Sequence, residues 1–250
     1  MITGTARRRL VIATSYGLLC HSLFIMAVGA MIIMMFFGMS GSFGHLAPPW
    51  SFVANALLLL PFPIGHSLLL MRRGNAVLQR LAPAGVGAGL STTTYVVIAA
   101  VQILSLFLLW SPSGTIWWRA QGPMLVILST CYALAWLTLL KAIADAGFAL
   151  QVGLLGWYAL ARNIPVRYPP MPQSGLFKMC RQPIFVAFTL TLWTVPTWTP
   201  DQLAVATVLT FYCLIGPLFK EARFKRRYAE EFEAYRRRVP YWLPRWPRRK

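Results

Sequence analysis

Long stretches without any charged side chain constrain this chain more than any other feature. No Asp, Glu, Lys or Arg occurs between Arg9 and Arg72 or between Arg80 and Arg119, and three shorter charge-free stretches follow. The hydrocarbon core of a bilayer is about 30 Å thick, and an α-helix needs roughly 20 apolar residues to cross it. Since 57% of the residues are apolar and only 12% are charged, the sequence predicts an all-α polytopic membrane protein.

The charge-free stretches divide into about six transmembrane helices. They cover residues 10–38, 51–71 and 90–110, a run from residue 123 past Lys141 and Asp145, and two shorter runs after Arg181 joined by residues 196–201. Pro61 and Pro63 predict a break in the second helix, and Arg72, Arg73 and Arg80 mark the loop after it. Lys141 and Asp145, four residues apart, either pair with each other or serve a function inside the membrane.

The cationic residues flank the apolar runs. Twelve of the 24 Lys and Arg residues fall in the last 31 positions. In a soluble chain a net charge of +18 would suggest nucleic acid binding, but cations that flank membrane spans set orientation and face anionic lipid. With the N-terminus inside, six crossings leave only Arg119 and Asp201 outside. Both termini are therefore predicted to be cytoplasmic, with the lipid bilayer and not nucleic acid as partner.

The C-terminal segment is predicted to be an amphipathic cytoplasmic helix over residues 219–238. Its aromatic side chains recur at i, i+4, i+8 and i+11, which is one face of a helix; they are Phe224, Tyr228, Phe232 and Tyr235. Val239-Pro240 ends the pattern. A basic, aromatic helix of this kind either lies in the membrane interface or folds back over the protein.

Familiar catalytic and metal-binding motifs are missing from the sequence. There is no glycine-rich phosphate loop, no GxSxG and no HExxH. The four cysteines form no CxxC pair, so neither a disulfide framework nor a metal site is predicted. His21 and His66 each lie in an apolar run and are interpreted as interior histidines. No catalytic residue can be assigned from the pattern alone.

The C-terminal third carries a family resemblance. Residues 175–185 (GLFKMCRQPIF), the hairpin with TLWTVPTWT and residues 220–244 (KEARFKRRYAEEFEAYRRRVPYWLP) resemble the isoprenylcysteine carboxyl methyltransferase superfamily. That superfamily shows an Arg-His-Pro-x-Tyr-x-Gly motif, a helical hairpin, a Glu-Glu pair and a Tyr-x-x-Tyr-x-x-x-Val-Pro ending. His66-Ser67, Thr94-Tyr95-Val96, and Asp145 with Gln151-Val152 make the bacterial methanethiol S-methyltransferase-like branch the most similar.

The resemblance covers about residues 50–244 and divides a single membrane domain into three parts. Residues 1–50 hold an N-terminal span outside the resemblance, residues 50–219 form the family-like helical core, and residues 220–250 form the basic cytoplasmic tail helix. A bacterial branch implies the inner membrane as location. The N-terminal span is a candidate for binding a membrane-protein partner.

The resemblance implies that S-adenosylmethionine binds between the cytoplasmic ends of the last spans and the tail, where a small thiol or a lipidic acceptor reaches it from the membrane. Arg181, Gln182, Pro183 and Phe185 match the Arg-His-Pro-x-Tyr positions, and Glu221 matches the second member of the Glu-Glu pair. Arg181 and Glu221 are expected to hold the charged ends of the cofactor, with Tyr228 or Tyr235 closing over it.

The chain departs from the family pattern at several of these positions. The departures are Gln182 for His, Phe185 for Tyr, Ala187 for Gly, Lys220 for the first Glu, and Leu218 and Leu150 for Arg. Two functions therefore stay open: a membrane methyltransferase that uses S-adenosylmethionine, and a catalytically inactive, family-derived subunit that packs within a larger membrane complex. A reductase of related fold is a third, although no nicotinamide signature occurs.

Each of the two charged site residues also has a structural interpretation. Arg181 could be an arginine that extends its charged end to the membrane interface. Glu221 could form a salt bridge with Lys225, four residues further along the tail helix.

Overall fold

A computed structural model of the chain describes residues 4–83 and 85–244. Helix dominates because a backbone surrounded by apolar side chains must satisfy its hydrogen bonds within each segment. The described residues form α1 (Gly4–Phe36), α2 (Trp50–Leu59), α3 (Pro61–Leu69), α4 (Arg72–Leu81), α5 (Gly87–Leu109), β1 (Trp118–Arg119), α6 (Gly122–Asp145), α7 (Phe148–Gln151), α8 (Leu154–Arg162), a 3-10 turn (Gly175–Lys178), α9 (Pro183–Trp193), β2 (Thr197–Trp198) and α10 (Pro200–Arg238).

The prediction of an all-α polytopic membrane protein is confirmed. Among the residues that the structure describes, five helical segments are long and apolar enough to cross a membrane: α1, α2 together with α3, α5, α6 and α10. The remaining predicted span is α9, an apolar helix of 11 residues. At 1.5 Å per residue it extends about 17 Å, roughly half the thickness of the hydrocarbon core.

The second span breaks where the prolines predict. Helix α2 ends at Leu59, and α3 begins with Pro61 at its first turn. The arginine-rich segment that follows was expected to be a loop, and that expectation is wrong, since it forms α4. A helix is stable there because the segment is amphipathic: it buries Leu78 on one face and leaves its arginines exposed.

The described residues fall into two compact units, of which the first comprises the described parts of residues 1–33, 42–111 and 149–169. In this unit α5 packs against α2, α3, α4 and α8. The Thr93 hydroxyl ties α5 to the start of α8, because it donates to the Gly153 carbonyl at 2.8 Å and accepts from the Trp157 N–H at 3.1 Å.

The second unit comprises residues 34–41 and 112–148 and the described residues from 170 onward. Here α6 packs against α9, and α9 against α10. The two short strands pair antiparallel, with Trp118 opposite Trp198. At the start of α10, Asp201 accepts hydrogen bonds from the Ser113 N–H at 2.9 Å and from its hydroxyl at 2.6 Å. These contacts hold the α9–α10 turn against the loop before α6.

The tail helix differs from the expectation in one respect. It does not begin as a separate helix at residue 219, because α10 continues from the membrane span into the tail, with Pro217 inside it, and its helical geometry is interrupted only further on. The helix kinks at Ala229, whose backbone has φ 36° and ψ −106°. The change of direction allows the last turns to fold back. Residues 245–250 of the predicted tail lie outside the described residues.

The predicted aromatic face of the tail is buried at Phe232 and Tyr235 and half-buried at Phe224 and Tyr228, which agrees with the fold-back alternative. We call this group the tail core: Met171, Phe232 and Tyr235, with Phe224, Tyr228 and Val239 packed against them. Phe224 meets both Tyr228 and Phe232 edge-on, with ring centroids 5.7 and 6.2 Å apart. The end of the tail therefore packs against Met171 and against the preceding turns of α10.

Candidate functional site

The segment that carries the family motif is anchored by Asp145 at the end of α6. Asp145 accepts a hydrogen bond from the Leu176 N–H at 2.8 Å and pairs with Lys141, so the structural interpretation of those two charges is confirmed. Gly175 is required here, because its φ is 58° and a Cβ would collide with the carboxylate of Asp145. This contact fixes the entry of the chain into the motif.

Arg181 and Glu221 form the centre of the site. Arg181 Nε donates to Glu221 Oε1 at 2.8 Å, and Nη2 donates to Oε2 at 3.3 Å. The side chains are only 9% and 15% exposed. A bidentate arginine–carboxylate pair of this kind is both stronger and more directional than a lysine–carboxylate pair. Glu221 thus pairs with Arg181, whereas Lys225 pairs with Glu233 at 3.6 Å, so the tail salt bridge expected as an alternative is not the one formed.

Arg181 also holds the end of the tail. Its Nη1 donates to the carbonyls of Arg236 at 3.2 Å and Val239 at 2.8 Å, and its backbone N–H donates to the Pro240 carbonyl at 2.9 Å. The interpretation of Arg181 as an interfacial arginine is wrong, because its charged end points into the protein. Instead it satisfies carbonyls at the end of α10 that the helix itself leaves without partners.

Gln182 and Lys220 complete what we call the Arg181 network: Arg181, Gln182, Lys220 and Glu221. Gln182 is fully buried; its Nε2 donates to Glu221 Oε1 at 2.7 Å, and its Oε1 accepts from Lys220 Nζ at 3.0 Å. Lys220 also donates to the Arg181 carbonyl at 3.3 Å and lies over the Phe177 ring at 5.1 Å. The network therefore places two cations around one carboxylate.

The other predicted site residues lie around this network with roles of their own. Pro183 is buried at the first turn of α9. Phe185 packs edge-on against Tyr212 at 6.2 Å between centroids. Tyr228 belongs to the tail core. Tyr235 is buried there too, and its hydroxyl donates to the Phe177 carbonyl at 2.8 Å. Thus Arg181, Gln182 and Glu221 come together, whereas Phe185 and Tyr228 pack against other aromatic rings.

Tyr241 is a site residue that the sequence interpretation missed. The Arg181 guanidinium lies 5.2 Å from the centroid of its ring. Burial, and the negative charge of Glu221, raise the pKa of the phenol, so it stays protonated and able to donate. Its hydroxyl is buried and has no hydrogen-bond partner among the described residues. The available signal was its position directly after the Val239-Pro240 motif.

Cys180 precedes Arg181 and is buried. Burial raises the pKa of its thiol, although Lys220 nearby opposes the shift. The thiol therefore stays protonated at neutral pH and contributes no charge to the network. Within the part of the chain that the structure describes, no group of three or more His, Cys, Asp or Glu side chains could hold a metal ion.

The chain is similar to enzymes that methylate a small thiol. It is 27% identical over 198 residues to the methanethiol S-methyltransferase of Mycobacterium tuberculosis, which covers 79% of each chain. It is 24% identical over 195 residues to methanethiol S-methyltransferase 1 of Bradyrhizobium diazoefficiens, which covers 77% of this chain but 66% of that relative. It is also 28% identical over 166 residues to nurim of Sus scrofa, which covers 62% of this chain and 61% of nurim.

No family model matches the chain, and no solved structure matches it. The relatives nevertheless align over 62–79% of the chain. The resemblance to the isoprenylcysteine carboxyl methyltransferase superfamily, and to its methanethiol S-methyltransferase-like branch, is confirmed by these relatives.

Proposed function

We propose that this protein is an integral membrane methyltransferase that transfers a methyl group from S-adenosylmethionine to a small thiol. The names of the relatives support a membrane methyltransferase with a small-thiol acceptor. The observation that carries the proposal is the Arg181–Glu221 pair, in which residues 40 positions apart bring a guanidinium and a carboxylate together beside the tail. A lipidic acceptor is the other substrate class that the resemblance allows.

The chemistry of the network fits the amino-acid end of this cofactor. That end carries a carboxylate and an ammonium, which require a cation and a carboxylate respectively. Among the residues from 4 to 244 that the structure describes, Arg181 Nη2 retains one N–H after its bond to Glu221, and Glu221 Oε2 accepts only that one bond, at 3.3 Å. The ring of Tyr241 lies over the same guanidinium, and its hydroxyl has no hydrogen-bond partner among the described residues. The network therefore keeps hydrogen-bonding capacity of the required type.

In this proposal Arg181 binds the carboxylate of the cofactor and Glu221 binds its ammonium. Bound S-adenosylmethionine supplies an electrophilic methyl group on a sulfonium. The chain contributes mainly orientation, since in-line transfer depends on how the two reactants are held. Gln182 keeps Glu221 in place, because it donates to Oε1 while its own carbonyl oxygen accepts from Lys220.

The acceptor side is served by the excess of positive charge. Two cations, Arg181 and Lys220, surround the single carboxylate of Glu221. A thiol is nucleophilic as the thiolate, and nearby cations favour that form. At Cys180 burial outweighs the effect of Lys220 on the thiol pKa, so an acceptor thiol is expected to lose its proton readily only where it approaches the cations and is less buried than Cys180.

The orientation in the membrane belongs to the same proposal. The positive-inside distribution favours cytoplasmic termini, which would expose the network to cytoplasmic S-adenosylmethionine. The homologues support a bacterial inner membrane protein. A cysteine-accessibility experiment at Ser113 in intact cells would test the orientation, since the proposal places the α5–α6 loop outside.

The direct test is binding of S-adenosylmethionine and S-adenosylhomocysteine to the detergent-purified protein by calorimetry, followed by methyl transfer to methanethiol. Micromolar affinity, about −8 kcal/mol, with transfer to the thiol would support the proposal. Glu221→Gln should weaken binding at least tenfold, while Tyr158→Phe, an exposed change on α8, should leave it unchanged. No binding at millimolar ligand would refute the enzyme and favour the inactive membrane subunit.

A further inference from the structure

Tyr241 has an environment that its role in packing does not explain. Its ring covers the guanidinium of Arg181 at 5.2 Å, which accounts for the aromatic ring. The hydroxyl is buried without a hydrogen-bond partner in the described parts of the chain. Buried hydroxyls almost always have a partner, and one without a partner costs free energy. A phenylalanine would give the same ring contact without this cost.

The guanidinium that the Tyr241 ring covers indicates which ligand chemistry the hydroxyl can serve. Arg181 uses Nε and both N–H groups of Nη1 for Glu221, Arg236 and Val239, and one N–H of Nη2 for Glu221. Among the described residues, one N–H of Nη2 is left without a partner. This N–H and the O–H of the phenol whose ring lies over the guanidinium are two donors, and together they suit an anionic oxygen.

We infer that Tyr241 binds the ligand: its hydroxyl and the remaining N–H of Arg181 together hold the carboxylate of an α-amino acid moiety. The inference rests on the proposed function, in which that moiety is the amino-acid end of S-adenosylmethionine. Glu221 Oε2, which is bonded to the same Nη2, lies where it accepts from the ammonium of that moiety. Tyr241 is thus a specificity-determining residue that recognises the carboxylate.

The test compares two ligands that differ in the amino-acid moiety. S-adenosylhomocysteine carries the carboxylate, whereas methylthioadenosine has the same nucleoside and a thioether without it. Tyr241→Phe should weaken binding of S-adenosylhomocysteine about tenfold or more, as expected for the loss of a charge-assisted hydrogen bond. It should leave the affinity for methylthioadenosine within about twofold.

A second measurement needs no ligand. Because Tyr241→Phe removes a buried hydroxyl that has no partner, the thermal midpoint of the ligand-free protein should stay the same or rise. The matched control is Tyr235→Phe, which makes the same chemical change at a hydroxyl bonded to Phe177 and should lower the midpoint. If the midpoint is retained, weaker binding by the Tyr241→Phe variant is a binding effect and not a folding defect.

The outcomes separate the inference from the proposed function. If the natural protein binds S-adenosylhomocysteine and Tyr241→Phe binds it equally well, the inference is wrong and the proposed function stands. Equal weakening for both ligands would also overturn it, because the hydroxyl would then not recognise the carboxylate. If the natural protein binds neither ligand at millimolar concentration, the proposed function fails and takes the inference with it.

Discussion

Arg181 and Glu221 are joined by two hydrogen bonds across a span of 40 residues, one from Nε at 2.8 Å and one from Nη2 at 3.3 Å. Arg181 lies in the motif segment just before α9, and Glu221 lies where α10 leaves the apolar part of the chain. The same guanidinium binds the carbonyls of Arg236 and Val239. One arginine therefore connects the motif segment, the carboxylate and the end of the tail.

Removal of either partner should destabilise the protein. Arg181→Ala leaves a buried carboxylate and two tail carbonyls without their donor, which is expected to cost about 3–5 kcal/mol in free energy of unfolding. Lys225→Ala, which breaks the exposed pair with Glu233, is the matched control and should cost less than about 1 kcal/mol. Thermal unfolding in detergent measures both. Equal effects would mean that the Arg181 pair adds nothing beyond a surface salt bridge.

Lys220 provides a second prediction, because its ammonium is bonded to Gln182 and to the Arg181 carbonyl. Lys220→Met keeps the apolar stem and removes both bonds, which should cost about 1–3 kcal/mol. Lys220→Glu should cost more, since it also places a second carboxylate beside Glu221. The order of the thermal midpoints is the readout. A glutamate variant as stable as the natural protein would show that Lys220 does not balance Glu221.

The membrane-spanning helices could be predicted from the sequence because the signal is local. Charge-free stretches report directly on burial in lipid, and Pro61 marks the break between α2 and α3 within one turn. Helix α4 was missed because its arginines suggested a loop, whereas the buried Leu78 on the opposite face stabilises a helix.

The sequence predicted which residues belong to the site, but not how they pair. Arg181, Gln182 and Glu221 were found from the family resemblance, but their pairing depends on how a distant segment folds back. A local pattern favoured Lys225 as the partner of Glu221, four residues away, because helix periodicity gives no information on contacts beyond the helix. Tyr241 was missed because it is distinguished by a buried hydroxyl without a partner among the described residues. No sequence pattern indicates such a feature.

The kink in α10 supplies a third prediction. Ala229 adopts φ 36° and ψ −106°, a sparsely populated conformation for a residue with a Cβ, which costs about 1–2 kcal/mol. Ala229→Gly should therefore stabilise the docked tail by up to about 1 kcal/mol after the greater entropy loss of glycine. Ala234→Gly, in a regular part of the same helix, should instead destabilise it by about 0.5–1 kcal/mol. A higher thermal midpoint for Ala229→Gly and a lower one for Ala234→Gly would confirm the strain. A lower midpoint for both variants would contradict it.

The docking of the tail can be followed through Cys180, which precedes Arg181 and is buried. Burial raises the pKa of its thiol, so the reactive thiolate should form only at a pH above that of an exposed cysteine. In a variant with Cys20, Cys131 and Cys213 replaced by Ala, alkylation of Cys180 should be slow at neutral pH. The alkylation rate should rise with pH, and the midpoint of this rise should lie above the pKa of an exposed cysteine thiol.

Phe232→Ala should change both properties of Cys180. Phe232 is buried in the tail core, and its truncation removes several kcal/mol of packing free energy. A loss of about 1.4 kcal/mol is enough to raise the population of molecules with an undocked tail tenfold. The alkylation rate should increase at least about tenfold, and its pH midpoint should move down toward that of an exposed thiol. Phe211→Ala, at an exposed position of α10, should change neither. Unchanged alkylation in Phe232→Ala would show that the tail core does not shield Cys180.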